Sequence, residues 1–246
     1  MLDKSAPSSV VTPRWRGADL AIAVVLVVLG FGVLVGALAG AASVFDLDGR
    51  ADVAASALGA VATLLFEVWL GAVVWLVARR RRLPGDPFGL DWPASWRWAA
   101  GAVLGAYAVL FLYTWLLLAL EQVAGLDLGR VRDGNALPDV PHNAVAVWAL
   151  LGLSVVVVAP LAEELLFRGF LFRALSGLIG FPAGLLLSAL AFSVVHLDMG
   201  VVVPFFLIGI IFAWTYHASG SLWTSVAAHA TFNLVSFVAT LIGVRA

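Results

Sequence analysis

The chain has 246 residues, 63% of them hydrophobic and only 12% charged, with a formal net charge of -1. Soluble domains run at about 45–50% apolar and about 25% charged, so a water-facing globule is excluded and a membrane is the solvent this composition suits. With no basic face to neutralise phosphates a nucleic-acid partner is excluded, and with no cysteine so are disulfides and thiolate metal sites.

Seven hydrophobic segments follow in chain order, at 18–43, 53–78, 97–120, 143–160 running on to about 176, 182–197, 201–217 and 221–243. A helix needs about 20 mostly apolar residues to cross a hydrocarbon core of roughly 30 Å, whereas barrel strands need only about 9–11 alternating ones. The expectation is an all-α fold, a polytopic transmembrane helical bundle of 7–8 segments, the long 143–176 stretch counting as one or two. The first apolar run, 18–45, is interrupted only by Asp19 and exceeds the roughly 7–15 residues of a signal-peptide core, so it reads as a retained span.

Basic residues set the orientation. Lys4, Arg14 and Arg16 precede the first segment and the tetrad Arg79–Arg82 closes the second, while the loop between them, 46–52, holds three Asp against Arg50 alone. By the positive-inside rule both basic ends face the cytoplasm, giving a multi-pass protein of the cell membrane with a cytoplasmic N-terminus. Residues 83–96, with three Pro and two Gly, read as a cytoplasmic loop with Trp92, Trp96 and Trp98 at the lipid interface. Residues 121–142 are the longest polar connection. The working division is 1–142, spans and a loop with few polar residues, and 143–246, spans that carry the chemistry.

Ionisable groups inside the spans are read as confined to that second half. Mid-membrane charge costs roughly 2.5–3.5 kcal/mol per residue, so each such group asks for a partner or a use. Glu164 and Arg168 are four apart, share a helix face and can pair. Glu163 lies about 100° around the helix and is left to face something else. The turn near Gly180 lies 17 residues after Glu163 and 16 before His196, about 25 Å from each along its helix, which puts both at one depth of an antiparallel hairpin. His229 and Asn233 are four apart on one face of the last span, as site groups or as helix–helix glue. His142 and His217 lie at segment ends and receive no role.

This set permits peptide hydrolysis. A desolvated carboxylate beside an imidazole activates water, a role that Glu163 with His196 fits, and His229 with Asn233 can donate to the developing oxyanion. Glu163, His196 and His229 also match the donor types of a Zn²⁺ site with water in the open position, although no H-E-x-x-H pattern is present. Ser154, Ser188, Ser193 and Ser225 lie in spans, but none has a nucleophile-elbow setting.

Glu163-Glu164-Leu-Leu-Phe-Arg168-Gly169, Phe192-Ser-Val-Val-His196 and His229-Ala-Thr-Phe-Asn233 succeed one another on separate membrane segments. This ordered triplet, E-E-x-x-x-R, F-x-x-x-H and H-x-x-x-N/D, resembles the CPBP family of intramembrane peptidases, the Abi/CAAX-protease group with its type II CAAX prenyl endopeptidases, over about 143–240. Phe88-Gly89-Leu90 resembles that family's loop before the core. The resemblance implies that Glu163 activates water with His196 as partner, that His229 and Asn233 stabilise the oxyanion, and that Glu164 and Arg168 support the site. It implies a metalloprotease by name, yet it leaves a metal-independent glutamate mechanism open beside Zn²⁺. The implied partners are the lipid bilayer and a peptide or protein substrate at or within it, a prenylated CAAX chain or a bacteriocin peptide among them. Two rival classes stand beside this reading. A non-enzymatic scaffold or bacteriocin-immunity protein would keep the cluster for packing. A proton-coupled transporter would show inverted repeats, which this sequence lacks.

Overall fold

The computed structural model describes residues 15–45, 53–83, 86–132, 140–141 and 143–243. Lys4 and Arg14, the acidic loop 46–52 and His142 lie outside the described residues. Each of the seven hydrophobic segments is a helix. These are α1 (Gly17–Phe45), α2 (Val53–Arg81), α3 (Arg97–Ala124), α4 (Val145–Ile179), α5 (Phe181–Val194), α6 (Met199–Ser219) and α7 (Leu222–Leu241). Six are long and apolar enough to cross a membrane, and α5 is the shorter seventh.

Punctuation in the sequence ends these helices where it must. Gly125 after α3 and Gly220 after α6 adopt the left-handed conformation, and their N–H groups close back on Glu121 and Tyr216. Gly180 breaks α4 from α5, and Pro182 opens the next helix. Asp198 caps α6 by accepting from the Gly200 N–H at 2.8 Å.

Two expectations are sharpened. The stretch from 145 to 179 is a single helix of 35 residues rather than two. It stays continuous because it absorbs Pro160 by widening into π-helical turns at Leu153–Val158, with a second π stretch at Leu165–Phe172. In an i→i+5 pattern the Val155 carbonyl faces residue 160, a proline with no N–H to give. Asn233 supplies the missing donor from α7, its Nδ2 lying 2.8 Å from Val155 O. The expected segment 182–197 stops as a helix at Val194, so His196 sits in the turn that follows it.

Small residues let the helices approach. A Cβ at Gly209 on α6 would stand 3.1 Å from the Ala189 backbone on α5, and one at Gly30 on α1 would enter the Trp69 indole. That indole donates across from α2 to Leu26 O at 3.0 Å. One end of the bundle is closed by the loop 86–91. Asp86 accepts from the N–H groups of Phe88 and Leu90, Gly89 O accepts from Leu222 N (2.7 Å), and Leu90 O from Trp223 Nε1 (2.8 Å). Tyr216 joins the layers by donating to Phe88 O (3.0 Å) while accepting from Arg173 Nη1 (2.8 Å). Trp15, ahead of α1, packs between Phe88 and Phe170.

Candidate active site

Glu164 and Arg168 are 0% and 1% exposed, the most enclosed ionisable groups among the described residues. Their four-residue spacing on α4 makes the expected pair, Arg168 Nη1 donating to Glu164 Oε1 at 2.7 Å. The second guanidinium nitrogen donates to Gly209 O at 3.3 Å, an acceptor that the glycine's close approach brings within reach. Phe192 lies under the guanidinium at 4.3 Å and Phe212 at 5.5 Å, so aromatic faces replace much of the lost hydration.

The same Glu164 oxygen takes a second bond from α7, with His229 Nδ1 at 2.9 Å. A carboxylate only accepts, so Nδ1 carries the hydrogen and the ring's orientation is set. Its other nitrogen, Nε2, then points at Glu163, 3.8 Å from Oε2. That separation is too long for a hydrogen bond. Glu163 Oε2 is buried and has no hydrogen-bond partner among the described residues. Glu163, Glu164, Arg168 and His229 thus form one contiguous group; among the described residues the Oε2 atoms of Glu163 and Glu164 are both without a hydrogen-bond partner, and that of Glu163 is the one His229 Nε2 faces. Seven residues of α7 separate His229 from Leu222, so this group lies about 10 Å inside the loop-closed end.

The two remaining site residues stand at the margin. His196 Nδ1 lies 2.8 Å from Phe192 O, which obliges Nδ1 to be the donor and leaves Nε2 as a lone pair. Its ring meets Phe205 and Phe192 edge to face at 4.6 and 5.1 Å. No hydrogen bond or ion pair joins His196 to Glu163, and the imidazole within 4 Å of that carboxylate is His229. Phe192 is the link, since its ring also meets His229 at 5.8 Å. Asn233 lies one turn beyond His229, tied to Val155. Glu163, His196 and His229 offer zinc-binding atom types, yet among the described residues no three His, Asp or Glu side chains converge to hold one ion. Ser188, Ser193 and Ser225 each donate to a carbonyl three residues back, as packing hydroxyls do. His217 packs on Phe181 at 4.6 Å, away from this group.

Buried acids also lie outside the C-terminal half, Asp19 near the start of α1 (4% exposed) among them. Glu67 on α2 is 7% exposed, and α2 packs along α4. The confinement of buried charge to 143–246 is therefore corrected. Its signal was in the sequence, since a lone Glu in a 29-residue apolar helix carries the same insertion cost as Glu163.

Residues 145–235 match the family model described as type II CAAX prenyl endopeptidase Rce1-like. That stretch holds all three motifs, so the resemblance read from them is upheld there. Among curated proteins, YdiL of Bacillus subtilis (strain 168), named as a candidate membrane peptidase, is 30% identical over 89 residues, 36% of this chain and 36% of that protein. The UPF0177 protein YxdF of Lactococcus lactis subsp. lactis (strain IL1403) is 26% identical over 140 residues, 56% of this chain and 72% of that protein. The match thus spans about a third of YdiL's length. No solved structure matches the chain.

Proposed function

We propose that this multi-pass protein, with its Rce1-like core at 145–235, is an intramembrane endopeptidase that hydrolyses a peptide bond in a membrane-associated peptide or protein. The observation that carries the reading is the edge between Glu163 and His229. A buried carboxylate oxygen without a partner stands 3.8 Å from an imidazole nitrogen whose ring is already oriented from behind. Carboxylate, oriented imidazole and water exclusion are what water activation needs.

In this mechanism Glu163 takes a proton from water as the water oxygen bonds to the scissile carbonyl carbon. The new oxyanion receives a hydrogen bond from the amide hydrogen of Asn233 that Val155 does not use, while His229 Nε2, left as the acceptor nitrogen by Nδ1–H, takes a hydrogen bond from the water's second hydrogen. Glu163 then returns its proton to the leaving nitrogen as the C–N bond breaks. His196 contributes its Nε2 lone pair as a further contact for water or substrate. Glu164 and Arg168 touch no reacting atom; they hold His229 and neutralise each other. The substrate class that the family description points to is a chain processed near a prenylated C-terminus.

Purified protein in proteoliposomes, given a quenched peptide library that includes farnesylated C-termini, is expected to cleave it. Glu163→Ala and His229→Ala each abolish the cleavage, and chelator leaves it unchanged, because the reading uses no metal donor set. Full cleavage by Glu163→Ala sinks the proposal, and loss on chelation restored by Zn²⁺ sinks its metal-free form. A scaffold reading draws on the Asn233–Val155 and His196–Phe192 bonds, which serve packing alone. It is favoured if cellular phenotype survives both alanine changes.

A further inference from the structure

The four arginines that close α2 do not share one use. Arg79, Arg80 and Arg82 line one open cleft of about 710 Å³ together with Leu76. Arg81 turns away from it: its Nε lies 3.2 Å from Asp19 Oδ2, an oxygen that also accepts from the Arg16 N–H at 2.8 Å. The three arginines of the cleft are exposed, and among the described residues no carboxylate pairs with any of them.

Their convergence has to be built. On a continued helix Arg80 and Arg82 would point about 200° apart. The chain avoids this by ending α2 at Arg81 and placing Arg82 in the left-handed region, at φ 49°. Glycine is the usual residue there, because a side chain in that conformation is strained. Arg82 takes the strain and lines the same cleft as Arg79 and Arg80. The Arg79 guanidinium lies over the Trp75 ring at 4.9 Å, a contact that leaves the N–H groups around its edge free to donate. Trp75 and Leu76 are themselves exposed about one helical turn further into the span. The cleft therefore passes from an apolar wall to a basic rim within about 5 Å.

We propose that this cleft binds the headgroup of an anionic phospholipid, with Arg79, Arg80 and Arg82 donating to the phosphate oxygens and Leu76 meeting the glycerol and acyl side. Planar guanidinium forks suit a phosphate, and unpaired arginines at the end of a span draw anionic headgroups. A zwitterionic headgroup carries its own cation, which three arginines repel. A soluble phosphate shares the charge but makes no use of the apolar wall. By holding Asp19, Arg81 keeps that acid's charge off the cleft and joins α1 to α2, so the lipid rests against the tied ends of two helices. The site is separate from the edge between Glu163 and His229 and does not depend on the reaction there.

The test is native mass spectrometry of the full chain in detergent micelles holding equal amounts of phosphatidylglycerol and phosphatidylcholine. Wild type is expected to retain phosphatidylglycerol about tenfold or more over phosphatidylcholine, and Arg80→Gln and Arg82→Gln each to lower that preference about fivefold. Arg82→Gly removes the guanidinium while easing the left-handed turn, so it separates the loss of a contact from damage to the fold; it is expected to match Arg82→Gln. Arg97→Gln takes one exposed charge from the start of α3, outside the cleft, and is expected to stay within about twofold of wild type. Millimolar inorganic phosphate, set against chloride of equal ionic strength, is expected to leave the lipid in place. No preference in the wild type, an equal loss in Arg97→Gln, or full retention in Arg82→Gly each overturns the site. Displacement by inorganic phosphate but not by chloride overturns the lipid and assigns the cleft to a soluble anion.

Discussion

His229 on α7 reaches Glu164 on α4 through Nδ1 at 2.9 Å, and the same contact turns Nε2 toward Glu163. Adjacent glutamates on one helix are thereby put to opposite uses. Glu164 Oε1 takes bonds from both Arg168 and His229, while Glu163 keeps a bare oxygen toward His229 Nε2.

Substitution should separate the two acids. Glu164→Ala leaves the Arg168 guanidinium buried without its counter-charge, an imbalance worth about 3–5 kcal/mol. Thermal unfolding in detergent is expected to fall sharply for Glu164→Ala and to stay level or rise for Glu163→Ala, which removes a buried acid lacking a partner. Equal losses in both would contradict the division of labour.

Arg168→Lys is expected to fail although it keeps the charge. The guanidinium bonds Glu164 and the Gly209 carbonyl at once and lays its plane on Phe192. An ammonium has neither fork nor face. Cleavage should drop about tenfold or more, accompanied by a lower unfolding temperature; wild-type values in both would show that charge alone suffices.

Gly209→Val tests the approach of α6 to α5. The added Cβ meets Ala189 at 3.1 Å, so α6 must move away, and its carbonyl with it. The cost expected is about 1–3 kcal/mol, read as a lower unfolding temperature, with weaker activity because Arg168 loses an acceptor. An unchanged protein would mean that this contact tolerates a side chain.

Tyr216→Phe removes the hydroxyl that joins Arg173 to the loop 86–91. Two buried bonds are lost, and the loop keeps its ties to Leu222 and Trp223. Limited proteolysis should cut within 86–91 faster than in wild type, while Glu163-dependent cleavage survives. Unaltered proteolysis would show that the remaining bonds hold the loop alone.

Much of this was legible from residue spacing. The Glu164–Arg168 pair follows from a four-residue interval, and the common face of His229 and Asn233 from another. The partner of Glu163 did not follow. Matched depth pointed to His196, but depth fixes only one coordinate, and the angular placement of α7 against α4 brings His229 there instead. The π segments were not legible because they depend on how a continuous helix absorbs Pro160 while Asn233 waits on another helix to serve Val155. Glu67 was legible by cost and overlooked for want of a neighbour at helical spacing, its relation being to another helix.

Glu67 also bears on how the chain is made. Synthesis delivers α2 to the bilayer before α4 exists, so for that interval the acid lacks the helix that later packs along it. A neutral, protonated side chain is the form that survives such exposure at least cost. The arrival of α4 then covers the acid between packed helices. An α2 stripped of this acid would insert more readily.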